Sequence, residues 1–375
     1  MHFDFLIVGG GMAGVSAGYE LARHGSVCLL EREDQLAFHS TGRSAAKFLE
    51  TYGNGPVRAV TRASRPFFDR PPSGFSDVPL TSPRDAIFIA DEAHVAELRA
   101  HFEAVRALVP SVRWVERDEL YRRVPCLVAD RWKAGLLEVG SVDLDVHAIH
   151  QGYVRGLRAR GGVVHAGEEV TAVSRASGRW TVTTPSGASS ARVLVNAAGA
   201  WADVLARLAG APPIGLMPLR RTAFLVDAPP DAASWPLVCS AAEDFYFKPE
   251  SGRLLVSPAD ETPSEPCNAA ADPYDVAVAV DRLQQATTLR VDHVSHRWAG
   301  LRSFVADRTP VVGPDPACKG LVWLAAQGGY GIQTAPALAR LCSALAIDAG
   351  VPEDLAALGV TPDQLDPGRA TLRRG

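Results

Sequence analysis

Short apolar runs alternate with segments of helical periodicity at both ends of the chain. The run 5–8 predicts a buried strand, and it is followed by a predicted helix over 15–23 and a second strand over 27–30. Near the other end, the apolar run 321–326 precedes a predicted helix from about 334 to 346. Strands that alternate with helices are typical of a doubly wound parallel sheet, so we predict an α/β protein with a Rossmann-like domain.

The middle of the chain has a different pattern. Short β-like runs are separated there by proline, glycine and aspartate, as in RRTAFLVD (220–227), DFYFKP (244–249) and RLLVSP (253–258). We predict that these runs build a second, α+β domain on an antiparallel sheet, inserted twice into the first. The predicted first domain comprises residues 1–80, 141–215 and 297–375, and the second comprises 81–140 and 216–296.

Composition narrows the class of protein. The chain has 375 residues and a formal net charge of −4, which gives no electrostatic support for a nucleic-acid partner. Its six cysteines are scattered without metal-ligand spacing, so we expect neither a disulfide framework nor a metal site. No apolar run reaches the ~20 residues of a membrane span. We expect no signal peptide, no transmembrane segment and a cytoplasmic location.

A glycine-rich turn, Gly9-x-Gly11-x-x-Gly14, joins the first predicted strand to the first helix. Gly9 permits the tight turn, Gly11 lets the backbone approach a pyrophosphate, and Gly14 lets the helix pack closely on the sheet. Glu31 ends the second strand, where its carboxylate can accept hydrogen bonds from a ribose and would repel a 2′-phosphate. This unit therefore predicts NAD or FAD rather than NADP, and by itself leaves both open.

Two more small-residue turns follow apolar runs, at 196–201 and at 327–333. FAD is a long molecule, and a flavoprotein often contacts it from distant parts of the chain. One glycine-rich turn at the start and another near residue 330 fit contacts at the adenine end and at the flavin end. The second turn therefore argues against an NAD-dependent dehydrogenase.

Seven motifs in order resemble the D-amino-acid oxidase-like (DAO) family of FAD-dependent amine oxidoreductases, and among its members the bacterial D-arginine dehydrogenases most. They are HSTGRSAA (39–46), GYVRGLRARGG (152–162), VLVNAAGAWAD (193–203), RRTAF (220–224), FYFKPE (245–250), WAGLRSFVAD (298–307) and AAQGGYGIQT (325–334). The resemblance implies non-covalent FAD, an FAD-binding first domain and a substrate-binding second domain. It also implies oxidative deamination of a D-amino acid to a 2-oxo acid and ammonia, with hydride transfer from the α-carbon to flavin N5.

The resemblance also implies which residues hold FAD, from the adenosine through the pyrophosphate to the flavin ring. They are Gly9, Gly11, Ala13, Gly14, Glu31, Arg32, Ser40, Thr41, Gly42, Arg43, Ser44, Ala45, Ala46, Lys47, Val170, Ala198, Gly199, Gly329, Tyr330, Gly331, Ile332 and Gln333. Backbone N–H groups of 329–333 would stabilise negative charge on the reduced flavin.

The predicted substrate-binding residues are Arg221, Arg302, Tyr52 and Tyr246. A planar guanidinium matches a carboxylate in two hydrogen bonds, and the resemblance assigns both arginines to the substrate carboxylate. The competing interpretations are a solvated surface charge for each arginine and a core aromatic for each tyrosine. Arg220 points to the other face of its strand and receives no role. No catalytic acid or base is predicted.

Three positions depart from the family pattern. Lys47 stands where the D-arginine dehydrogenases have a histidine beside the flavin, and its role is left open. Ala86 stands where they have a glutamate that binds the guanidinium of arginine, while Asp85 faces the other way. We therefore predict that arginine is a poor substrate and that neutral or apolar D-amino acids are better ones. Leu255 occupies the position of a lysine that promotes reaction with oxygen in sarcosine-oxidase-like relatives, which predicts a dehydrogenase using a quinone or another acceptor.

Two other functions remain open at this point. A flavoenzyme of the same fold could oxidise a 2-hydroxy acid, or a secondary amine such as proline or sarcosine, because the same arginines would hold the carboxylate. A non-catalytic flavin-binding subunit of a larger complex is the other alternative.

Overall fold

The computed structural model describes residues 1–372, and within them the chain forms twenty strands and ten α-helices. The strands, β1 to β20 in chain order, are His2–Val8, Val27–Leu30, Lys47–Phe48, Thr81–Pro83, Ala86–Asp91, Val112–Glu116, Trp132–Glu138, Val142–Leu144, Val163–His165, Ala172–Ala176, Arg179–Thr184, Gly187–Asn196, Met217–Asp227, Leu237–Ser240, Tyr246–Glu250, Arg253–Ser257, Thr262–Pro263, Val294–Phe304, Val311–Pro314 and Leu321–Ala325. The helices, α1 to α10, are Met12–Leu21, Gly55–Asp69, Val95–Val105, Arg117–Arg123, Val146–Ala159, Ala202–Leu208, Pro273–Ala286, Gly331–Ala346, Glu353–Ala357 and Pro362–Leu365.

The first sheet has eight strands and confirms the predicted doubly wound α/β domain. Its central strands run parallel in the order β20-β12-β1-β2-β9, while β10, β11 and β19 pair antiparallel at the margins. Strand β2 is buried along its whole length, as expected of a strand covered by helices on both sides. Helices α1, α5 and α8 pack together over this sheet in one large apolar core.

The turn between β1 and α1 shows why glycine is needed there. A Cβ at Gly14 would lie 1.8 Å from the Gly9 carbonyl oxygen, so only glycine lets the helix approach the strand this closely. Gly9 itself has φ +113°, a conformation that other residues rarely adopt. Helix α1 therefore begins at Met12, three residues before the predicted start, directly after its N-cap Gly11.

The second sheet has nine strands in the order β17-β13-β16-β15-β14-β5-β7-β6, with β18 also paired to β13. Its pairs are antiparallel except for β14 with β5, which run parallel with Leu237 opposite Ala86. The prediction of an antiparallel sheet is corrected at this pair. The reason is that β5 comes from the first insertion and β14 from the second, so no hairpin connects them.

Two predicted boundaries differ from the observed elements. The boundary at residue 297 falls inside β18, which belongs entirely to the second sheet because it pairs with β13 from Met217 to Val226. The last long helix begins at Gly331 rather than 334. Residues 373–375 of the predicted first domain lie outside the described residues.

A small three-stranded sheet, β3-β8-β4, connects the two larger sheets. It pairs Lys47 with Asp143 and thereby fixes a charged pair beside the site described below.

Three further features bear on the function classes. Within residues 1–372, no helix is long and apolar enough to cross a membrane. The same residues hold no group of three or more His, Cys, Asp or Glu side chains arranged to bind a metal ion. All six cysteines are free thiols.

Candidate active site

The first cavity of the site lies where the carboxyl ends of β1, β2 and β12 meet, the usual position for a ligand of an open α/β sheet. Ten of the predicted cofactor-binding residues line it, and they come from five separate parts of the chain. They are Gly9, Gly11, Glu31, Arg32, Ser40, Thr41, Arg43, Val170, Ala198 and Gly199.

Glu31 is held at the end of β2 by backbone donors. Its carboxylate accepts hydrogen bonds from the amide N–H groups of Gly10 (2.7 Å) and Glu33 (2.9 Å), and the residue is 8% exposed. Next to it, Arg32 forms an ion pair with Glu169 (3.0 Å) and lies 4.9 Å from the centre of the Trp201 ring. This end of the cavity therefore offers an acceptor for hydroxyl groups beside a broad aromatic surface.

Segment 40–43 forms one wall of this cavity, and hydrogen bonds from its own side chains hold it in place. The Thr41 hydroxyl oxygen accepts from the Met12 N–H (3.0 Å), and the Ser40 hydroxyl donates to the Leu301 carbonyl (2.6 Å). Arg43 donates to the carbonyls of Ala269 (2.8 Å) and Ala299 (3.0 Å). The Arg43 guanidinium is thus bound to carbonyl groups of other segments, so only the remaining atoms of Arg43 could contact a ligand.

A second cavity of about 790 Å³ continues from this segment toward the second sheet. It brings together all four predicted substrate-binding residues and eight predicted flavin-contacting residues. These are Tyr52, Arg221, Tyr246 and Arg302, with Ser44, Ala45, Ala46, Lys47, Gly329, Tyr330, Ile332 and Gln333. Ala13, Gly14 and Gly331 line neither cavity, and Gly42 lines a third one described below.

Sheet register places the two arginines side by side. Arg221 on β13 is paired with Gly300 on β18, and Arg302 lies two residues further along β18. Because residues two apart share a face, both guanidinium groups point to the same side of the sheet, toward the cavity. Arg220 points to the opposite side, where it pairs with Asp275 (2.7 Å).

The two arginines differ in their partners. Arg302 is half-buried, and its Nη1 donates to the Tyr52 hydroxyl oxygen (3.3 Å). Within residues 1–372, Arg302 has no carboxylate within 4.0 Å. Burial opposes its charge, but the nearby Tyr52, Tyr246 and Glu261 outweigh this, so the pKa of Arg302 is raised. The group therefore stays cationic and open to an anion.

Arg221 is already neutralised in part. It donates to the Asp260 carbonyl (2.8 Å) and to Glu261 Oε1 (3.2 Å). Glu261 also forms a two-point ion pair with Arg308 (2.6 and 2.9 Å). Burial and the charge of Arg302 lower the pKa of Arg221. The sequence analysis missed Glu261 and Arg308, which carry no motif and are separated by a long stretch of chain.

Tyr52, Tyr330 and Gly329 form the wall next to Arg302. The rings of Tyr52 and Tyr330 are 4.9 Å apart, and burial raises the pKa of Tyr330 to about 12. Tyr330 precedes α8, whose first N–H groups have no partner within the helix. The Gln333 side chain is fully engaged with Leu49 (3.0 and 3.2 Å) and Thr61 (2.9 Å), so only its backbone N–H could meet a ligand.

Substituting Gly329 with alanine should weaken substrate binding. A Cβ there would lie 3.0 Å from Arg302 Nη1 and 3.2 Å from the Tyr52 hydroxyl oxygen, displacing both groups. We expect the KM for the substrate to rise roughly tenfold, because charged pairs lose affinity when their geometry is disturbed. Because Gly329 is also a predicted flavin contact, the KM is measured on protein reconstituted with FAD, and the ratio of flavin to protein absorbance is recorded for each preparation. An unaltered KM would contradict this arrangement.

Lys47 and Lys248, which both line this cavity, belong to a cluster of charged residues around Asp143. Asp143 accepts from Lys248 (3.2 Å) and Arg84 (2.6 Å), and Lys47 lies 3.7 Å away. Lys47 also donates to the Arg84 carbonyl, and Lys248 pairs with Glu250 (2.7 Å). The sequence analysis left the role of Lys47 open and missed Asp143 and Lys248, whose neighbourhood only the three-stranded sheet creates.

Leu255 faces Lys248 directly across β15 and β16. Residues that pair across strands point to the same side, so a lysine ammonium does stand at this part of the sheet, supplied by the neighbouring strand. The argument that Leu255 removes a lysine from this place is therefore corrected. Both residues line a third cavity, on the far side of segment 42–46.

The two cavities fit one elongated cofactor. A Cβ at Gly11 would meet only the Thr41 hydroxyl, at 3.2 Å, so the space above this glycine is open to a ligand. The first-turn amides of α1 at Ala13 and Gly14 have no acceptor within the helix and suit a pyrophosphate. Segment 40–47 lines both cavities. It runs from the end where Glu31 can accept hydrogen bonds from hydroxyl groups to the N-terminus of α8. Together they define a dinucleotide-dependent oxidoreductase with an anion-binding second cavity.

Comparison with known proteins gives the family. A family model described as "FAD dependent oxidoreductase" (DAO) matches residues 4–345. The chain belongs to this DAO family of FAD-dependent oxidoreductases, and FAD is its cofactor.

Three relatives illustrate the range of the family. Rat (Rattus norvegicus) mitochondrial dimethylglycine dehydrogenase is 24% identical over 98% of this chain, which spans only 44% of that longer protein. Glycine oxidase from Bacillus licheniformis is 25% identical, over 91% of this chain and 92% of its own. The crystal structure of L-proline dehydrogenase from P. horikoshii superposes with a TM-score of 0.84 at 18% identity, over 97% and 96% of the two chains. The narrower likeness to D-arginine dehydrogenases stays a prediction.

Proposed function

We propose that the protein oxidises the C–N bond of a neutral D-amino acid to an imino acid, which water hydrolyses to a 2-oxo acid and ammonia. The observation that carries this proposal is Arg302. It is a permanently charged group in the cavity wall, beside the Tyr52 hydroxyl, with no carboxylate partner among the described residues. Because no carboxylate of the described residues contacts this cation, its hydrogen-bond donors can take the carboxylate of an amino acid as a direct partner.

The carboxylate would lie between Arg302 and Tyr52. The guanidinium of Arg302 donates in a planar fork that matches a carboxylate, and the Tyr52 hydroxyl can donate a further hydrogen bond. Arg221 contributes positive charge from the neighbouring strand while Glu261 holds its guanidinium in place. Tyr246 lines the same wall and offers another hydroxyl.

The side chain of the substrate would meet an apolar surface. Ala86 is fully buried in a cluster with Leu49, Leu237, Phe88 and Cys239 that borders the cavity. Asp85 is directed elsewhere and accepts from the Gly140 N–H (3.0 Å). Of the lining carboxylates, Glu261 and Asp307 are already paired with arginines. Glu97 and Glu243 are exposed, and water-screened charges bind a cation weakly. We therefore propose that arginine is a poor substrate.

Bound FAD supplies an acceptor for two electrons from the substrate. The chain itself would hold the carboxylate with Arg302 and place the N-terminal amides of α8 where they can stabilise negative charge. The side-chain pocket would be lined by Leu49, Phe88, Leu237 and Cys239. Water that enters the open cavity completes the hydrolysis of the imine.

A second candidate is oxidation of glycine or of an N-alkylated amino acid. The relatives are named for glycine, dimethylglycine and proline, which share the carboxylate and differ at nitrogen. Arg302 and Tyr52 would hold these substrates in the same way.

Anaerobic flavin reduction tests both candidates. The purified yellow protein is mixed with D-leucine, D-methionine, D-phenylalanine and D-arginine, their L-enantiomers, glycine, sarcosine, L-proline and D-lactate, while the absorbance near 450 nm is followed. We expect bleaching by the neutral D-amino acids and at least tenfold slower bleaching by D-arginine. Fastest bleaching by sarcosine, L-proline or glycine would favour the second candidate, and by D-lactate a 2-hydroxy-acid enzyme. Reduction by none of these compounds would contradict both candidates.

We further propose a dehydrogenase that uses a quinone or another organic acceptor. The amine of Lys248 is engaged by Asp143 and Glu250, so its charge is not free to assist reaction with oxygen. Mixing the reduced protein with ubiquinone-1 or with air-saturated buffer should give faster reoxidation by the quinone. The reverse order of rates would assign an oxidase.

A further inference from the structure

Lys47 is a buried lysine in the wall of the substrate cavity, and its ammonium group, which donates to the Arg84 carbonyl, has no role in the reaction described above. Its side chain is 5% exposed. It lies in the wall of the same cavity as Arg302 and Tyr246. The backbone pairing of Lys47 with Asp143 in the three-stranded sheet fixes the lysine in this position.

The charges around Lys47 do not balance. Among the described residues, Lys47, Lys248 and Arg84 gather around Asp143, and Glu250 is the other carboxylate in contact. Three cations thus face two carboxylates in a poorly hydrated region. Such an excess is relieved most easily by the loss of one proton.

Of the three cations, Lys47 is the one that can release a proton. Arginine does not deprotonate in proteins, which excludes Arg84. Lys248 is held by two carboxylate oxygens at 3.2 and 2.7 Å, whereas Lys47 has one, at 3.7 Å. Burial first, and then the charges of Lys248 and Arg84, lower the pKa of Lys47 to about 8, against the opposing effects of Asp143 and Glu138.

Oxidation of an amino acid releases a proton from the substrate nitrogen. An amino acid is an ammonium ion at neutral pH, and it must lose one N–H proton before its C–N bond can be oxidised. Other titratable groups in the cavity are poorly suited, because burial raises the pKa values of Cys239 and Tyr330 to about 12 and Glu261 is bound by two arginines. Asp307, which is bound by Arg369, and the exposed Glu97 and Glu243 also line the cavity. His101 is the other lining group, and the variants below test it as a competitor.

We propose that neutral Lys47 accepts the proton of the bound substrate ammonium, and that Asp143 and Lys248 are positioning residues that set when Lys47 is neutral. The proposal rests on the proposed amino-acid oxidation. The substrate N–H bond breaks, its electron pair stays on the substrate nitrogen, and the proton forms a new N–H bond on Lys47. The resulting ammonium of Lys47 later returns the proton to water in the cavity.

The test is the pH dependence of anaerobic flavin reduction by saturating D-leucine, or by whichever compound of the panel above reduces the flavin fastest. In the wild-type protein we expect the rate to rise with pH through an inflection near 8, as Lys47 becomes neutral. Lys47→Met should reduce the rate at pH 7.5 by about 10²-fold, the usual contribution of a general base. Its inflection should move to higher pH, to the ionisation of the substrate itself.

Four further variants separate proton transfer from charge and from folding. Lys47→Arg keeps the charge but cannot accept the proton, so it should be as slow as Lys47→Met. Asp143→Asn should move the inflection to lower pH, because it removes the carboxylate that favours charged Lys47. Lys248→Met should move it to higher pH, because it removes a like charge. His101→Gln should leave the inflection in place.

Four results would overturn the proposal. They are a wild-type inflection that survives Lys47→Met, a normal rate in Lys47→Arg, shifts of the same sign in Asp143→Asn and Lys248→Met, or loss of the inflection in His101→Gln. FAD content and circular dichroism are compared for every variant, so that a misfolded protein is recognised. If no amino acid reduces the wild-type flavin, the proposed function itself fails, which is a different outcome from a flavin that is reduced with the wrong pH profile.

Discussion

Replacing Arg302 with leucine should lower kcat/KM by about 10²- to 10³-fold, because truncating one partner of a desolvated charge pair costs several kcal/mol. Leucine keeps the apolar stem of the side chain and removes the guanidinium that faces the cavity. The loss should appear both in steady-state rates and in the dissociation constant for substrate from anaerobic titration. FAD content should stay that of the wild type, because Arg302 is not among the residues predicted to hold FAD.

Arg297→Leu is the matched control. Arg297 lies on the same strand, is exposed, and lines the third cavity instead. It should retain wild-type kcat/KM for the amino acid. If Arg302→Leu behaved like this control, the carboxylate would have to be held elsewhere, and the proposed substrate class would lose its main support.

Replacing Gly11 with alanine should release FAD from a protein that still folds. A Cβ at this position would contact only the Thr41 hydroxyl, at 3.2 Å, and the backbone φ of −74° suits alanine. The methyl group would instead occupy the space through which the pyrophosphate approaches the backbone. We expect the dissociation constant of FAD to rise roughly tenfold or more, as measured by quenching of flavin fluorescence in titrations of the apoprotein.

Two other glycines separate cofactor loss from unfolding. Gly9→Ala places a Cβ 2.3 Å from the Ala197 carbonyl oxygen at φ +113°, so it should destabilise the protein as well as weaken FAD binding. Gly55→Ala meets nothing within 4 Å and should change neither property. If the Gly11→Ala protein bound FAD as tightly as the Gly55→Ala protein, the FAD pyrophosphate would not lie against the glycine turn of residues 9–14.

Sequence reasoning succeeded where the signal is local. The turn from Gly9 to Gly14 is determined by steric limits within a few residues, and the structure shows the close contact that these limits predict. The orientation of Arg221 relative to Arg220 followed from the two-residue period of a strand, and their separate partners agree with it. The grouping of Tyr52, Tyr246 and Arg302 depended on a resemblance, since the sequence alone shows nothing about distances between remote segments.

Residue pairs that form only through the tertiary structure could not be predicted from the sequence. Lys47 and Lys248 both lie beside Asp143, and this happens only because the three-residue strand β8 pairs with β3. Glu261 and Arg308 form an ion pair, although they lie in two loops whose composition shows no motif. The parallel pair of β5 and β14 was missed for the same reason, because strand patterns carry no information about which partner lies alongside.

That parallel pair has a consequence during synthesis. Strands β5, β6 and β7 leave the ribosome long before β14 exists, so the edge of β5 that later pairs with β14 is unsatisfied in the nascent chain. At ordinary translation speeds of about 5–20 residues per second, this interval lasts roughly 5 to 20 seconds. A message truncated between these segments should yield an aggregating fragment, and chaperone dependence should concentrate in this interval.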